Sequence, residues 1–183
     1  ATLTITIKGT KVEATYDGTA KTAEGYTATS ESTLFDASKI VFTGTDTVTE
    51  TAAGTYPMGL AANQFSYNDA NFENVTFDVT DGELKINPAT LTIVTEGATK
   101  EYDGKELTAD GSISGFVTPE GGAQETATFT VTGTQTEVGK SDNTYTLVWD
   151  GTATESDYTL SETIGELEVK TSTKQLKVES LDG

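Results

Sequence analysis

The sequence predicts an all-β protein that consists of two tandem β-sandwich (Ig-like) modules arranged end to end. Three observations support this fold class. Threonine, a β-branched residue that favours strands, is conspicuous throughout the 183 residues. Short segments with alternating apolar and polar residues recur along the chain, separated by turn residues. The segment Tyr16-Asp17-Gly18 also recurs as Tyr102-Asp103-Gly104, which indicates an internal repeat.

The first module is expected to span residues 1–88. Glycine and proline on both sides of Tyr56 predict an edge strand or a bend, and residues 37–39 suggest a short helical turn. Residues 63–74 form the most polar stretch and are predicted to be a loop. The alternating apolar sets that predict strands are Leu3/Ile5/Ile7, Val12/Ala14/Tyr16, Ile40/Phe42, Val75/Phe77/Val79 and Leu84/Ile86.

The second module is expected to span residues 89–170. The linker Asn87-Pro88-Ala89 is too short to be a flexible tether, and proline fixes its own φ angle, so we expect restricted swing between the modules. Three pairs of segments are predicted to correspond: Val41–Gly44 with Thr130–Gly133, Thr55-Tyr56 with Thr144-Tyr145, and Gly82–Ile86 with Gly165–Val169.

Two points of organisation remain open from the sequence. The tail, residues 171–183, carries Leu176 and Val178 at strand spacing. It is either the first strand of a further repeat or an extra strand of the second. A β-grasp or other mixed module is the alternative fold, if residues 19–39 and 106–118 contain short helices.

The charge balance excludes several classes of partner. The net charge is −18, with 29 acidic residues against 11 basic ones, and the sequence contains neither arginine nor histidine. Binding of nucleic acid or of an anionic membrane surface requires clustered cations, so neither is expected. No apolar run has the length of a membrane span. Because like-charged copies repel each other, we expect a monomer.

The sequence predicts no catalytic residue, no cofactor and no metal site. Without cysteine and histidine, the usual nucleophile–base pairs are unavailable, and no pair of carboxylates stands out for glycosidase chemistry. The polar stretch 68–74 offers oxygen ligands for calcium but lacks the spacing and the glycine of a dedicated calcium loop. We therefore do not expect an enzyme.

Three further features have a structural and a functional interpretation. The Tyr-Asp-Gly segments are more easily explained as turns than as ligand loops, because turn chemistry accounts for all three residues. Trp149 shares its parity with neighbouring apolar residues, so a core position is favoured over a carbohydrate platform. Lys100 or Lys170 with Asn143 are candidates for a covalent crosslink, although no spacing supports one.

The second module contains an ordered series of short motifs: Lys100–Leu107, Ser114–Val117, Val138-Gly139 with Asn143, Asp157-Tyr158, and Gly165–Val169. This order resembles the MBG/YDG-type repeat of large bacterial cell-surface proteins. The resemblance covers residues 89–170 best. The first module matches more loosely, with Phe72 at the position expected for the tyrosine of an Asn-Tyr motif and no clear Val-Gly-x-x-x-Asn element.

The resemblance implies a β-sandwich-like module that is repeated many times in an adhesin or stalk outside the cell, with no catalytic residues to transfer. We expect a non-catalytic spacer whose partners are neighbouring repeats of the same chain. The alternative is an adhesive module that recognises a host glycan or matrix protein through its loops. In either case the chain is expected to be a fragment of a larger secreted or wall-anchored bacterial protein.

Overall fold

The computed structural model describes residues 1–174, which contain eighteen strands, three short 3-10 turns and no α-helix. Ten strands precede Pro88: β1 Thr2–Gly9, β2 Lys11–Thr15, β3 Lys21–Glu24, β4 Tyr26–Thr29, β5 Ile40–Phe42, β6 Thr47–Glu50, β7 Gly54–Pro57, β8 Phe65–Tyr67, β9 Asn74–Thr80 and β10 Glu83–Asn87. Eight follow it: β11 Ala89–Thr95, β12 Ala98–Glu101, β13 Gly111–Ser114, β14 Thr128–Val131, β15 Gly139–Asp142, β16 Tyr145–Val148, β17 Tyr158–Thr163 and β18 Glu166–Lys170. The 3-10 turns are Ala37–Lys39, Ala62–Gln64 and Glu155–Asp157.

The predicted all-β class is confirmed, and the mixed alternative is wrong. Residues 19–39 form β3, β4 and one 3-10 turn, and residues 106–118 contain β13. The short helical turn predicted at residues 37–39 is present, and the Asp36 carboxylate caps it by accepting a hydrogen bond from the Ser38 N–H. The strands form seven separate sheets of two or three strands each, so the sandwich arrangement stays a prediction. The helical segments have only three residues, and none within residues 1–174 is long and apolar enough to cross a membrane.

The chain forms two compact units. Unit 1 contains residues 1–89 together with two short segments from later in the chain, residues 117–124 and 156–158. Within the described part of the chain, unit 2 contains residues 90–116, 125–155 and 159–174. The break in the sequence therefore falls within one residue of the predicted boundary at residue 88, but two segments of the predicted second module belong to unit 1. The predicted tail strand around Leu176 and Val178 lies outside the described residues.

In unit 1, the core lies on two three-stranded sheets with the orders β4-β1-β9 and β2-β10-β7. Strand β1 pairs in parallel with β9 and antiparallel with β4, whereas β10 pairs in parallel with β2 and antiparallel with β7. The alternation seen in the sequence buries one side-chain set of each central strand, as a pleated strand requires. The fully buried members are Leu3, Ile5, Ile7, Leu84 and Ile86.

Unit 2 repeats this plan. Its sheets have the orders β13-β11-β17 and β12-β18-β15, and β18 again has one parallel and one antiparallel neighbour. A two-stranded sheet, β14-β16, corresponds to β5-β8 of unit 1. The β3-β6 pair of unit 1 is reduced in unit 2 to the single bridge between Leu107 and Gln135. The buried core side chains are Leu91, Ile93, Leu167 and Val169.

Strand pairing corrects one of the three predicted correspondences. Tyr145 pairs with Val131 on β14, just as Phe65 pairs with Phe42 on β5. The counterpart of Tyr145 is therefore Phe65, and the predicted match with Tyr56 is wrong. Strand β7, which carries Tyr56, corresponds to β15. Each is the edge strand that runs antiparallel to the central strand of its sheet, β10 for β7 and β18 for β15.

Two further expectations for the first module are also corrected. The predicted loop at residues 63–74 contains strand β8, where the buried Phe65 and Tyr67 alternate with exposed Ser66. Only three residues carry this pattern, which is too short to stand out in a polar stretch. Phe72 lies in the turn before β9, and counting back from Gly82 and Gly165 gives Val75 as the counterpart of Tyr158.

Candidate functional site

The first Tyr-Asp-Gly segment is a turn held by its aspartate. Oδ1 of Asp17 accepts hydrogen bonds from the N–H of Thr19 at 2.9 Å and from its hydroxyl at 2.6 Å. Oδ2 of Asp17 accepts one from Lys21 Nζ at 2.5 Å. The hydrogen bond from Lys21, followed by those from Thr19, lowers the pKa of Asp17 to about 2. Gly18 has a φ of 76°, which glycine adopts without steric cost.

The second segment forms a similar turn, although the lysine that bonds to its aspartate precedes the turn instead of following it. Oδ1 of Asp103 accepts hydrogen bonds from the Lys105 N–H at 2.9 Å and from Lys100 Nζ at 2.7 Å. The Lys100 hydrogen bond, followed by that from Lys105, holds the pKa of Asp103 below its ordinary value. Gly104 has a φ of 74°. In both segments the aspartate therefore stabilises the turn, which supports the structural interpretation over a ligand loop.

The two turns differ in their surroundings. Tyr16 is 7% exposed, and its ring meets the ring of Tyr158 edge to face, with centroids 5.8 Å apart. A Cβ added at Gly18 would lie 2.8 Å from Cγ of Pro119. Both partners belong to the short segments that complete unit 1. By contrast, Tyr102 is 41% exposed, and a Cβ added at Gly104 would meet no described atom within 4 Å.

In the polar stretch 68–74, the Asp69 carboxylate is hydrogen-bonded to other groups of the same chain. Oδ2 of Asp69 accepts a hydrogen bond from Lys39 Nζ at 2.5 Å, and Oδ1 accepts one from the N–H of Asn71 at 2.9 Å. The Lys39 hydrogen bond, followed by that from Asn71, lowers the pKa of Asp69. No cluster of three or more potential metal-ligating side chains occurs among residues 1–174. The geometry of this stretch therefore gives calcium no support.

Asn143 is the most constrained polar residue of unit 2. It is completely buried, and its backbone N–H donates a hydrogen bond to the Gly165 carbonyl at 2.7 Å. Its Nδ2 faces the backbone carbonyls of Glu96, Ala109 and Asp110 at 2.9, 3.2 and 3.3 Å. Three acceptors around one amide nitrogen fix the orientation of the side chain. Its Oδ1 has no hydrogen-bond partner among the described residues.

The proposed crosslink finds no support in these positions. Nζ of Lys100 bonds to Asp103 and to backbone carbonyls in its own turn, and Nζ of Lys170 lies 3.8 Å from Glu168. Neither lysine contacts Asn143 within the described chain. The amide of Asn143 is surrounded by carbonyl oxygens, which cannot act as nucleophilic amines.

Trp149 lies one residue beyond the end of β16. Its side chain is partly buried, like those of Tyr145 and Leu147, whereas the two residues between them are exposed, so the predicted parity is confirmed. None of the three belongs to the fully buried core. An aromatic contact on this sheet joins Tyr145 and Phe129, whose ring centroids lie 5.4 Å apart.

The residues that cover the first turn are distant from it in the sequence, and no local pattern predicted that they would lie there. Oδ1 of Asp157 accepts a hydrogen bond from the Ala53 N–H at 2.6 Å, and Val117 donates its N–H to the hydroxyl of Tyr158 at 3.0 Å. Asp157 is also among the few buried acidic residues.

Comparison of the chain with protein-family models, with curated proteins and with solved structures gives no match.

Proposed function

We propose that the chain is a non-catalytic spacer from the extracellular stalk of a bacterial surface protein. The observation that carries this proposal is the duplication of one strand arrangement, each copy with its own apolar core and its own Tyr-Asp-Gly turn. Repeated units with separate cores extend a chain by adding length for each unit. The excess of acidic residues keeps neighbouring molecules apart.

The polar groups that most resembled a site support the same proposal. The carboxylates of Asp17, Asp69 and Asp103 are all engaged by lysine and by backbone N–H groups. A group that holds a turn in this way has few lone pairs left for a ligand. The function therefore belongs to the scaffold and to its repetition.

Thermal unfolding with and without calcium tests this proposal. A calcium site filled at 100 times its Kd would stabilise the folded state by about 2.7 kcal/mol. For a unit of this size, that corresponds to a rise in Tm of roughly 10 °C or more. A spacer should show the same Tm in excess calcium and in chelator, and a rise of this order would contradict the proposal. X-ray scattering of chains with added repeats should show the maximum dimension increasing with each repeat.

An adhesive module is the second proposal, with a host glycan or matrix protein as its partner. A surface groove in unit 1 favours it, because hydroxyl groups line the groove and can exchange hydrogen bonds with sugar hydroxyls. The lining residues include Thr2, Thr4, Thr6, Thr29, Ser30 and Ser32. None of the described residues that line the groove is aromatic, so they provide no ring on which a sugar could stack.

A glycan array and a matrix-binding assay distinguish the two proposals. Binding that survives moderate salt and is abolished by Thr29→Trp would establish the adhesive function. Thr27→Trp is the matched control, because Thr27 is exposed on the same strand, β4, but does not line the groove. Absence of binding by the unmodified chain leaves the spacer as the supported function.

A further inference from the structure

Three contacts cover one end of unit 1. The ring of Tyr158 packs against Tyr16, and the carboxylate of Asp157 accepts the N–H of Ala53. Pro119 lies against Gly18 so closely that no Cβ would fit between them. All three covering residues come from the two short segments that complete unit 1. This end of unit 1 is therefore covered by a tyrosine ring, a carboxylate and a proline.

The corresponding end of unit 2 can be located residue by residue. The N–H of Tyr16 donates to the Asn87 carbonyl, and the N–H of Tyr102 donates to the Lys170 carbonyl, each at 2.8 Å. Tyr102 is therefore the counterpart of Tyr16. Gly139 pairs with Val169 as Gly54 pairs with Ile86, which makes Val138 the counterpart of Ala53.

In unit 2, these counterparts are exposed. Tyr102 is 41% exposed and Val138 is 50% exposed, although both are large apolar side chains. We call Tyr102, Gly104 and Val138 the terminal patch. Its members flank strand β18, where the chain leaves the sheet β12-β18-β15 at Lys170. Chain that continues beyond Lys170 therefore starts beside the patch.

We propose that the terminal patch binds the next repeat of the same chain, through that repeat's counterparts of Pro119, Asp157 and Tyr158. A tyrosine ring meets Tyr102 edge to face, a carboxylate accepts the Val138 N–H, and a proline lies against Gly104. The inference rests on the proposed spacer function and identifies the partner of each unit. Leu176 and Val178, at the spacing of a first strand, are consistent with a repeat that begins here.

The test compares the chain as it exists with an extended chain. In the extended chain, a second copy of residues 88–174 follows Lys170 directly, because Lys170 is the counterpart of Asn87. The added copy carries Tyr102→Phe, so that the original Tyr102 is measured alone. Nitration by tetranitromethane, followed by proteolysis and mass spectrometry, reports the accessibility of each tyrosine. The existing chain should show Tyr102 reacting about sixfold faster than Tyr16, in the ratio of their exposed fractions of 41% and 7%.

In the extended chain, the rate at Tyr102 should fall about sixfold, to the rate at Tyr16. Val138→Asp should restore the fast rate, because it places a carboxylate opposite the carboxylate that accepts the Val138 N–H. Val148→Asp is the matched control: Val148 is 51% exposed, lies outside the patch and should leave Tyr102 protected. Both positions are exposed in the existing chain, so neither substitution should prevent folding.

Two results would overturn the inference. In the first, Tyr102 keeps its fast rate in the extended chain although Trp149 fluorescence shows that both copies are folded. In the second, Tyr102 becomes protected in the existing chain as its concentration rises, which would assign the patch to a second molecule. Either result leaves the spacer function intact if scattering still shows added length, whereas a calcium-dependent Tm would overturn the spacer function without affecting the nitration result.

Discussion

Replacing Asn143 tests how unit 2 connects two of its sheets. Asn143 lies between the end of β15 at Asp142 and the start of β16 at Tyr145. Its side chain is completely buried, and its Nδ2 donates to backbone carbonyls of the segments around residues 96 and 109–110. Asn143→Ala removes both N–H donors from the carbonyls of Glu96 and Ala109, whereas the Asp110 carbonyl keeps the Glu96 N–H.

The magnitude follows from counting bonds. Two N–H groups serve the carbonyls, and each partly buried acceptor that loses its donor costs at most about 1–3 kcal/mol. Removing the Asn143 Oδ1, which has no partner among the described residues, offsets about one such penalty. The expected net loss is therefore one such penalty, about 1–3 kcal/mol, which lowers the Tm of a unit of this size by roughly 5–20 °C.

Differential scanning calorimetry or urea unfolding measures this loss. Asn68→Ala is the matched control, because Asn68 is exposed and its replacement should change the stability by less than about 0.5 kcal/mol. Asn143→Asp should be worse than Asn143→Ala, since a carboxylate would face carbonyl oxygens. If Asn143→Ala is as mild as the control, the buried amide does not hold the segments together and the reasoning is refuted.

Three further predictions concern the turns and the partly buried Tyr145. Gly18→Ala should lower the Tm more than Gly104→Ala, because both require a positive φ but only position 18 is also in contact with a proline; equal losses would contradict this. The pKa of Asp17 is about 2 in the folded state and 3.8 in the unfolded chain. The contribution of Asp17 to stability should therefore be complete above pH 4 and lost as the pH falls towards 2. Asp17→Asn should remove this part of the pH profile of unfolding, and an unchanged profile would argue against the turn contacts. Burial, followed by the hydrogen bond to Glu162, raises the pKa of Tyr145 to about 12, so Glu162→Gln should lower this pKa in an ultraviolet titration, while no change would exclude the hydrogen bond.

The strands of both cores could be predicted because alternation reports burial directly. Leu3, Ile5 and Ile7 alternate with threonines, and the structure buries all three. A pleated strand has a period of two, so the pattern and the buried face coincide. Strand β8 was missed because its alternation is too short: Phe65 and Tyr67 are only two apolar residues within a polar stretch.

Correspondence between the units could not be decided by short motifs. The dipeptide Thr-Tyr occurs at residues 15–16, 55–56 and 144–145. Tyr145 pairs with β14, whereas Tyr56 pairs with β10 and therefore does not occupy the matching place in its unit. Which strand lies beside which depends on long-range pairing that two residues do not encode. The environment of the turns was hidden in the same way, because Tyr16 and Tyr102 share their local sequence but only Tyr16 is covered.

One difference in chain length accounts for the way each unit passes from one sheet to the next. In unit 2, Asn143 alone connects Asp142 to Thr144. The counterparts of these two residues in unit 1 are Pro57 and Gln64, and six residues, 58–63, connect them. The longer connection exposes backbone N–H groups to be satisfied, and Asp81 accepts those of Gly59 and Leu60 at 3.0 and 2.8 Å.

In unit 2, the position of Asp81 is taken by Ile164, which is 41% exposed. Unit 2 has no long connection like residues 58–63, so a carboxylate at position 164 would have no backbone N–H groups of that kind to accept. The amide of Asn143 bonds to the neighbouring backbone instead. The aspartate and the asparagine are thus two solutions to one requirement, that the polar backbone at this crossing be paired. It follows that Asp81→Ala should destabilise unit 1, whereas Ile164→Asp should leave unit 2 nearly unchanged, and unfolding of the two variants checks both statements.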